Sequence, residues 1–209
     1  MQLEARGLRF AYPKSRPLFE KLSFSIGQGE RVGLLGPSGR GKTTLAKLLA
    51  GYEAPGGGAV ALDRAPIPKR GFCPVQLIWQ HPETAVNPRW RMRQVLEEGG
   101  IRWGETAPEL GLEEGWLDRY PRELSGGELQ RFCIARALGG GVRFLIADEI
   151  TTMLDGVAQA QLWQFLLREV RARNLGLLVI THNPHLAQQV CTRLVDFEEL
   201  LKQSDDRGK

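Results

Sequence analysis

No stretch of the 209-residue chain approaches the roughly 18 consecutive apolar positions that a membrane-crossing helix requires. The N-terminus also lacks a basic segment followed by an apolar run, so neither a spanning protein nor a signal-peptide-led one is expected. Cysteine is scarce: Cys73, Cys133 and Cys191 are far apart and form no CxxC pair. A disulfide framework or a zinc site therefore has little to build on, and reduced structural thiols suited to the cytosol are expected. Charge of one sign is lacking too, with 28 basic against 24 acidic side chains and a net charge of +4. No long basic block marks a nucleic-acid surface, although the balance would permit such a partner. Glycine and proline number 25 and 12, too few for a disordered chain. What is present, 42% hydrophobic and 25% charged residues, matches an ordinary folded domain long enough for one α/β core and too short for two enzyme domains.

Apolar and polar residues alternate around Leu3, Ala5 and Phe10 and again around Leu22, Phe24 and Ile26, the period of strands with one buried face. The turn-like segment Tyr12 to Pro17 separates them. A continuous apolar strand, Val32 to Leu35, runs into a glycine-rich loop and then a helix from Thr43 to Ala50, with Gly51 as its stop. Short strands are expected at Ala59 to Leu62 and Leu77 to Trp79, the latter ending at Gln80. From His81 to about Gly139 β-branching thins out, tryptophans appear at 90, 103 and 116, and short helical patterns predominate. This segment reads as a small helical subdomain, residues 81–139, inserted into a nucleotide-binding core made of 1–80 and 140–209. A β/α rhythm then resumes: strand Arg143 to Ala147, helix Val157 to Arg173, strand Leu177 to Thr181, and a helix capped by Asn183 with Pro184 at its first position. The polar tail Gln203 to Lys209 is expected to be loose, and there is no internal repeat.

The loop Gly36-Pro37-Ser38-Gly39-Arg40-Gly41-Lys42-Thr43, followed by Thr44, fits GxxxxGK[ST] and lies between an expected strand and an expected helix. Glycines let backbone N–H groups close around phosphates, the helix N-terminus adds partial positive charge, Lys42 can reach the terminal phosphates, and the Thr43 hydroxyl can ligate Mg²⁺. Asp148 and Glu149 end an apolar strand whose carboxyl edge should converge on that loop. The first suits metal binding through water and the second the polarisation of an attacking water. Ser125, Gly126 and Gly127 open a helix in which Ser125 and Glu128 form a capping box, with Leu129, Phe132 and Leu138 facing inward. The same serine and glycines make an anion site able to meet a phosphate offered by another molecule.

Together these segments resemble the ATP-binding cassette (ABC) transporter ATPases over nearly the whole chain. Gly36 to Thr43 matches the Walker A loop, Gln80 the Q-loop, and Leu124 to Arg131 the LSGGQ-type signature. Phe144 to Glu149 matches Walker B, Leu154-Asp155 the D-loop, and His182 the switch histidine, while Tyr12 stands where the family stacks an aromatic ring on adenine. Tyr12 is also readable as simple packing at a strand end. The resemblance implies an α/β fold of P-loop NTPase (RecA-like) type: a mostly parallel sheet core, an N-terminal antiparallel β subdomain and an inserted helical subdomain. It implies ATP and Mg²⁺ as ligands, with Glu149 as general base, His182 on the γ-phosphate and Lys42 on the phosphates. Gln80 would sense Mg²⁺ and water, with Thr43, Gln80 and Asp148 toward the metal. Two cassettes would close head to tail, each ATP lying between one Walker A loop and the other chain's Ser125, Gly126, Gly127 and Asp155.

The segment Trp79 to Arg89, with Asn87-Pro88-Arg89 shortly after the Q-loop glutamine, is similar to the ATPases of dipeptide, oligopeptide and nickel importers, as is the Thr151-Thr152 pair; Asn87-Pro88 reads equally as a turn signal. The resemblance thus implies a peripheral subunit on the cytoplasmic face of the cell membrane, powering import of peptides, nickel or a metal chelate. Its partners would be transmembrane permease subunits, a homologous or identical ATPase and, indirectly, a solute-binding protein, without nucleic acid. Cassette ATPases acting in DNA repair or on ribosomes share these motifs and form the alternative class, but they insert long coiled coils or carry two cassettes, for which this chain has no room. A P-loop kinase or GTPase would leave the signature and His182 unexplained. Two substitutions depart from the family pattern, Ile150 after the Walker B glutamate and Met153 in the D-loop, and neither removes a catalytic group. The chain also ends 27 residues after His182, where peptide-importer ATPases usually continue; a compact partner subunit or a minimal cassette would account for that, and a regulatory-domain function is not expected.

Overall fold

The computed structural model describes residues 1–206 except 14, 69, 102, 107 and 108. Strands β1 (Gln2–Phe10) and β2 (Phe19–Gly27) form an antiparallel pair, and β3 (Arg31–Leu35) leads through the glycine-rich loop into helix α1 (Lys42–Leu49). β4 (Gly57–Leu62), β5 (Ala65–Pro66) and β6 (Val75–Ile78) follow, then α2 (Met92–Glu98), α3 (Trp103–Thr106) and α4 (Gly126–Ala137). The chain closes with β7 (Phe144–Asp148), α5 (Gly156–Ala172), β8 (Gly176–Ile180), α6 (Pro184–Val190), β9 (Arg193–Asp196) and α7 (Phe197–Asp206). Four strands in the order β2-β1-β4-β5 make an antiparallel sheet, and five in the order β6-β7-β8-β3-β9 make a parallel one.

The parallel sheet is covered on both faces, as sheets joined by helical crossovers must be. Every residue of β7 and β8 is buried. Alternation along β7 divides the interior: Phe144 and Ile146 join one apolar cluster with α1 and the antiparallel sheet, whereas Leu145 and Ala147 join another with α2, α4 and α5. The helices of segment 81–139 have no separate core. Val95, Leu96, Phe132 and Cys133 share one continuous cluster with Leu145, Leu177 and Leu166, so motion of these helices is coupled to the sheet by packing. Burial pushes the Cys133 thiol up to about 11 and that of Cys191 up to about 12, which makes both poor nucleophiles at neutral pH.

The C-terminal residues differ from the expected loose tail. Gln203 to Asp206 complete helix α7, while residues 207–209 lie outside the described part. Asp196 starts this helix by accepting from the N–H groups of Glu198 and Glu199, at 2.8 and 3.1 Å. Phe197 is fully buried edge-on to Phe19, with ring centroids 6.1 Å apart. The segment's polar composition conceals this anchor, because only one face of α7 meets the core through Phe197, Leu200 and Leu201. β9, also absent from the sequence reading, is the short edge strand that delivers it, pairing with β3 in parallel.

The glycine-rich loop rests on these two phenylalanines. A Cβ on Gly36 would lie 3.1 Å from the Phe197 Cβ, and one on Gly41 would lie 3.2 Å from the Phe19 ring. Gly41 also has φ +104° at the cap of α1, a conformation that side chains resist. Phe197→Ala should therefore cost about 3–5 kcal/mol of stability, as buried aromatic truncations do, and should weaken nucleotide binding as its support is lost. Urea unfolding and calorimetry of the same variant test both effects.

Candidate active site

The carboxyl ends of the parallel strands come level through their register: Asp148 pairs with Ile180, Leu34 with Ile180, and Leu35 with Asp196. Whatever follows these strands must emerge at one edge, the place where open α/β sheets bind ligands. The glycine-rich loop follows β3, Gln80 follows β6, Glu149 follows β7 and His182 follows β8. There Tyr12, Ser38, Gly39, Gly41, Lys42, Thr43, Thr44, Gln80, Asp148 and Glu149 line a cleft of about 480 Å³.

Lys42 is almost wholly buried, and its ammonium donates to the carbonyls of Gly36 and Pro37, both at 2.7 Å. Burial lowers its proton affinity, opposed by the charges of Glu149 and Asp148. The Thr43 hydroxyl donates to Asp148 Oδ2 at 2.7 Å. Asp148 is 3% exposed, and its carboxyl is held above the ordinary aspartate value chiefly by burial, with the Glu149 charge adding. The Thr43 hydrogen bond and the charges of Lys42 and Lys47 oppose that rise.

Glu149 occupies the left-handed region at φ +48°, a costly conformation for a non-glycine residue, and its N–H donates to the Ile180 carbonyl at 3.0 Å. That bond ties the chain's exit from β7 to the last residue of β8. The Glu149 carboxylate is engaged at both oxygens: Gln80 Nε2 donates to Oε2 at 3.0 Å, and His182 Nδ1 stands 3.4 Å from Oε1. His182 itself has a side chain 64% exposed. Tyr12 lies at the cleft rim, its hydroxyl 3.2 Å from Thr44 Oγ1 and its ring edge-on to Phe10. Arg40 points elsewhere, pairing with Glu198 of α7 at 3.1 Å.

Ser125, Gly126, Gly127 and Asp155 are not among the residues lining this cleft. Ser125 caps α4, with the Glu128 carboxylate accepting from Ser125 N–H at 2.7 Å and Ser125 Oγ accepting from Glu128 N–H at 3.3 Å. A Cβ on Gly126 or Gly127 would meet Met153 Sδ or the Leu154 side chain at 2.8 Å. Asp155 caps α5 by accepting from the N–H groups of Val157 and Ala158. The signature and the D-loop thus pack on each other at a distinct place from the chain's own phosphate loop. Sequence reasoning did not find Phe197 or Glu198 as neighbours of the loop, since nothing in the spacing connects residues 36–41 with 197–198.

Among the described residues no three His, Cys, Asp or Glu side chains cluster as a metal site. The hydroxyl of Thr43 and the carboxylate of Asp148, hydrogen-bonded to one another, are hard oxygen donors, and Gln80, which lines the same cleft, carries a third in its amide. Such a set suits Mg²⁺, which takes few protein ligands and keeps several waters.

The ABC transporter family model matches residues 19–152. The chain belongs to the ABC transporter family. The nickel import ATP-binding protein NikE of Rhodospirillum rubrum is 34% identical over 206 residues, covering 88% of this chain and 74% of that protein. NikE of Escherichia coli strain K12 is 34% identical over 197 residues, covering 85% and 74%. In fold the cassette is similar to a dimeric bacterial ABC transporter cassette, with a TM-score of 0.80, 22% identity and 93% of each chain covered. Similar too is cbiO1 of Clostridium perfringens, described as part of the ABC transporter complex cbiONQ, with a TM-score of 0.73, 21% identity and 93% and 83% covered. The cassette is an ATP-binding, ATP-hydrolysing subunit of an ABC transporter with the P-loop NTPase fold. None of its described helices is long and apolar enough to cross a membrane.

The buried Asp148 generates a signed pH test. The folded cassette holds the Asp148 proton more tightly than the unfolded chain does, so this group's contribution to stability declines as pH rises from the ordinary aspartate value through the raised one. Asp148→Asn should flatten that decline in melts recorded without nucleotide from about pH 4 upward. The same variant should lose the Mg²⁺-dependent part of ATP affinity, read by calorimetry with and without the ion.

Proposed function

We propose that this cassette powers an importer of nickel, a metal chelate or peptides from the cytoplasmic face of the cell membrane, and that it works as one half of a head-to-tail ATPase pair. One observation carries the pairing. The Ser125-Gly126-Gly127 anion site, capped and packed against Met153 and Leu154, stands apart from the cleft that holds Lys42, Asp148 and Glu149. A phosphate bound in that cleft therefore lacks the signature's donors until a second cassette presents them. Nickel as cargo draws support from the 34% identity to NikE, and peptide or chelate cargo from the Asn87-Pro88-Arg89 segment.

In this reading residues 81–139 form the helical subdomain and 1–80 with 140–209 the nucleotide-binding core. Tyr12 stacks on adenine, and residues 36–44 cradle the phosphates, with Lys42 exchanging its two carbonyl partners for phosphate oxygens. Thr43, Asp148 and Gln80 would hold Mg²⁺, which when bound neutralises charge on the phosphates. Glu149 takes a proton from the attacking water. Gln80 and His182 stand at its two oxygens, so both have to turn away, His182 toward the γ-phosphate, before the carboxylate can act as base. Asp155 contributes across the pair from its position at the cap of α5. Permease subunits, a homologous or identical ATPase and a solute-binding protein complete the assembly, with no nucleic acid.

Glu149→Gln should retain ATP binding and lower turnover by about 10²-fold or more, the scale of general-base contributions. Ser125→Asp should keep its helix cap, because aspartate caps well, while placing negative charge against the partner's phosphate. Its melting temperature should survive and its hydrolysis should not. The reading as a whole is tested by ATPase rate against protein concentration: a composite site requires the specific rate to rise with concentration and with added permease. A full rate that is independent of concentration defeats the pairing, and stimulation by DNA or ribosomes moves the cassette to a different class.

A further inference from the structure

Gln130 lies in the signature helix α4 and is 2% exposed. Burying an amide costs free energy unless it is hydrogen-bonded, and this one is bonded outside its own helix: Nε2 donates to the carbonyl of Trp79 at 3.2 Å. Trp79 is the first residue past β6 and immediately precedes Gln80. The contact is one of three. Cys133 Sγ, a weak donor, stands 3.8 Å from the Pro82 carbonyl, and Arg136 Nη1 donates to the Ala85 carbonyl at 2.6 Å. Donors three apart on α4 thus meet carbonyls three apart along the segment that carries Gln80 out of the sheet. The ring of Trp79 is held by other elements. Tyr52 meets it edge-on with centroids 5.0 Å apart, and the Lys47 ammonium of α1 stands 5.4 Å from its centroid.

The geometry points to Gln130 as a positioning residue for hydrolysis: through the Trp79 carbonyl it fixes the backbone from which the Gln80 side chain works. The inference rests on the proposed roles of Gln80 and Glu149. Gln80 Nε2 donates to Glu149 Oε2 at 3.0 Å, and for hydrolysis it has to leave that oxygen and present its amide to Mg²⁺. A side chain that turns between two partners arrives correctly at each only if its own backbone stays in place. The pairing of β6 with β7 ends at Ile78, so the sheet ladder no longer holds residue 80, and the donors of α4 take over from it. The anchor matters because a misplacement of about 1 Å can cost about 10²-fold in rate.

The test compares Gln130→Met, Gln80→Ala and the double variant in the whole chain, with glutamine side-chain amides labelled with ¹⁵N. Gln130→Met keeps the length of the side chain and removes the donor. Without nucleotide, the Gln80 amide resonance, assigned by its loss in Gln80→Ala, should move in Gln130→Met, and its protons should exchange faster with water. At one fixed protein concentration Gln130→Met should lower kcat about 10-fold, within the cost of such a misplacement. It should also raise the Mg²⁺ concentration needed for half-maximal activity and leave ATP affinity measured without Mg²⁺ unchanged. Added to Gln80→Ala it should lower kcat no further, because residues acting as one unit are not additive. A role confined to packing lowers the melting temperature while the Gln80 amide signal and the Mg²⁺ requirement stay put, or gives equal losses in both backgrounds, and either result overturns the inference. Gln130→Glu, of equal length but with an acceptor toward the Trp79 carbonyl, takes the place of Gln130→Met if that variant does not fold. An impaired Gln80→Ala beside a Gln130→Met that behaves as wild type sinks the positioning role alone, whereas a fully active Gln80→Ala removes the role of Gln80 and the inference with it.

Discussion

The hydrogen bond from Glu149 N–H to the Ile180 carbonyl extends the pairing of β7 with β8 one residue beyond the sheet, and the geometry of the cleft depends on it. It holds Glu149 in the left-handed region at φ +48° and so directs its side chain away from the continuation of β7, toward Gln80 and His182. A strand that ran on without this turn would place the carboxylate on a sheet face. The local cost is of order 1–3 kcal/mol. It is tolerated because β7 and β8 are buried throughout their length and cannot slip relative to one another without exposing Leu145, Ile146, Leu177 and Leu178.

Around that turn the fold accumulates charge in a place poor in water. Burial weakens the hold of Lys42 on its proton and strengthens that of Asp148, each partly offset by the other. The cluster is therefore less stable on its own than an apolar filling of similar shape would be. The same poverty of water would make these groups effective toward a phosphate, because fixed charges interact more strongly where solvent cannot screen them. Phe19 and Phe197 beneath the loop keep its backbone from relaxing away from this arrangement.

A division of labour between the two halves of the chain follows from packing. The signature helix α4 belongs to the apolar cluster that includes Leu145 and Ala147, while the phosphate loop and α1 lie over the opposite face of the sheet. Met153, in the D-loop, fills the space beside Gly126, and Asp155 two residues later is committed to capping α5. Any shift of the 149–155 segment is thereby transmitted to the signature through direct contact. That linkage is short and mechanical, as a composite ATP site shared by two chains would require.

Much of this was legible in the chain itself. The glycine-rich loop, the acids after an apolar strand, the capping box at Ser125 and the Asn183-Pro184 helix start depend on neighbours within a few residues, so spacing alone determined them. The opening strands and the β/α alternation followed from hydrophobic period, while the antiparallel pairing of the opening was implied only by the family resemblance. Strand order did not, nor did the ordering of residues 193–206, because the anchoring of α7 on Phe19 joins positions 178 apart along the chain. The engagement of Glu149 by both Gln80 and His182 and the pairing of Arg40 with Glu198 were likewise decided by tertiary structure. Local motifs specify which chemical groups leave each strand. Only the packing of a parallel sheet, buried on both faces and fixed in register, specifies which of those groups meet.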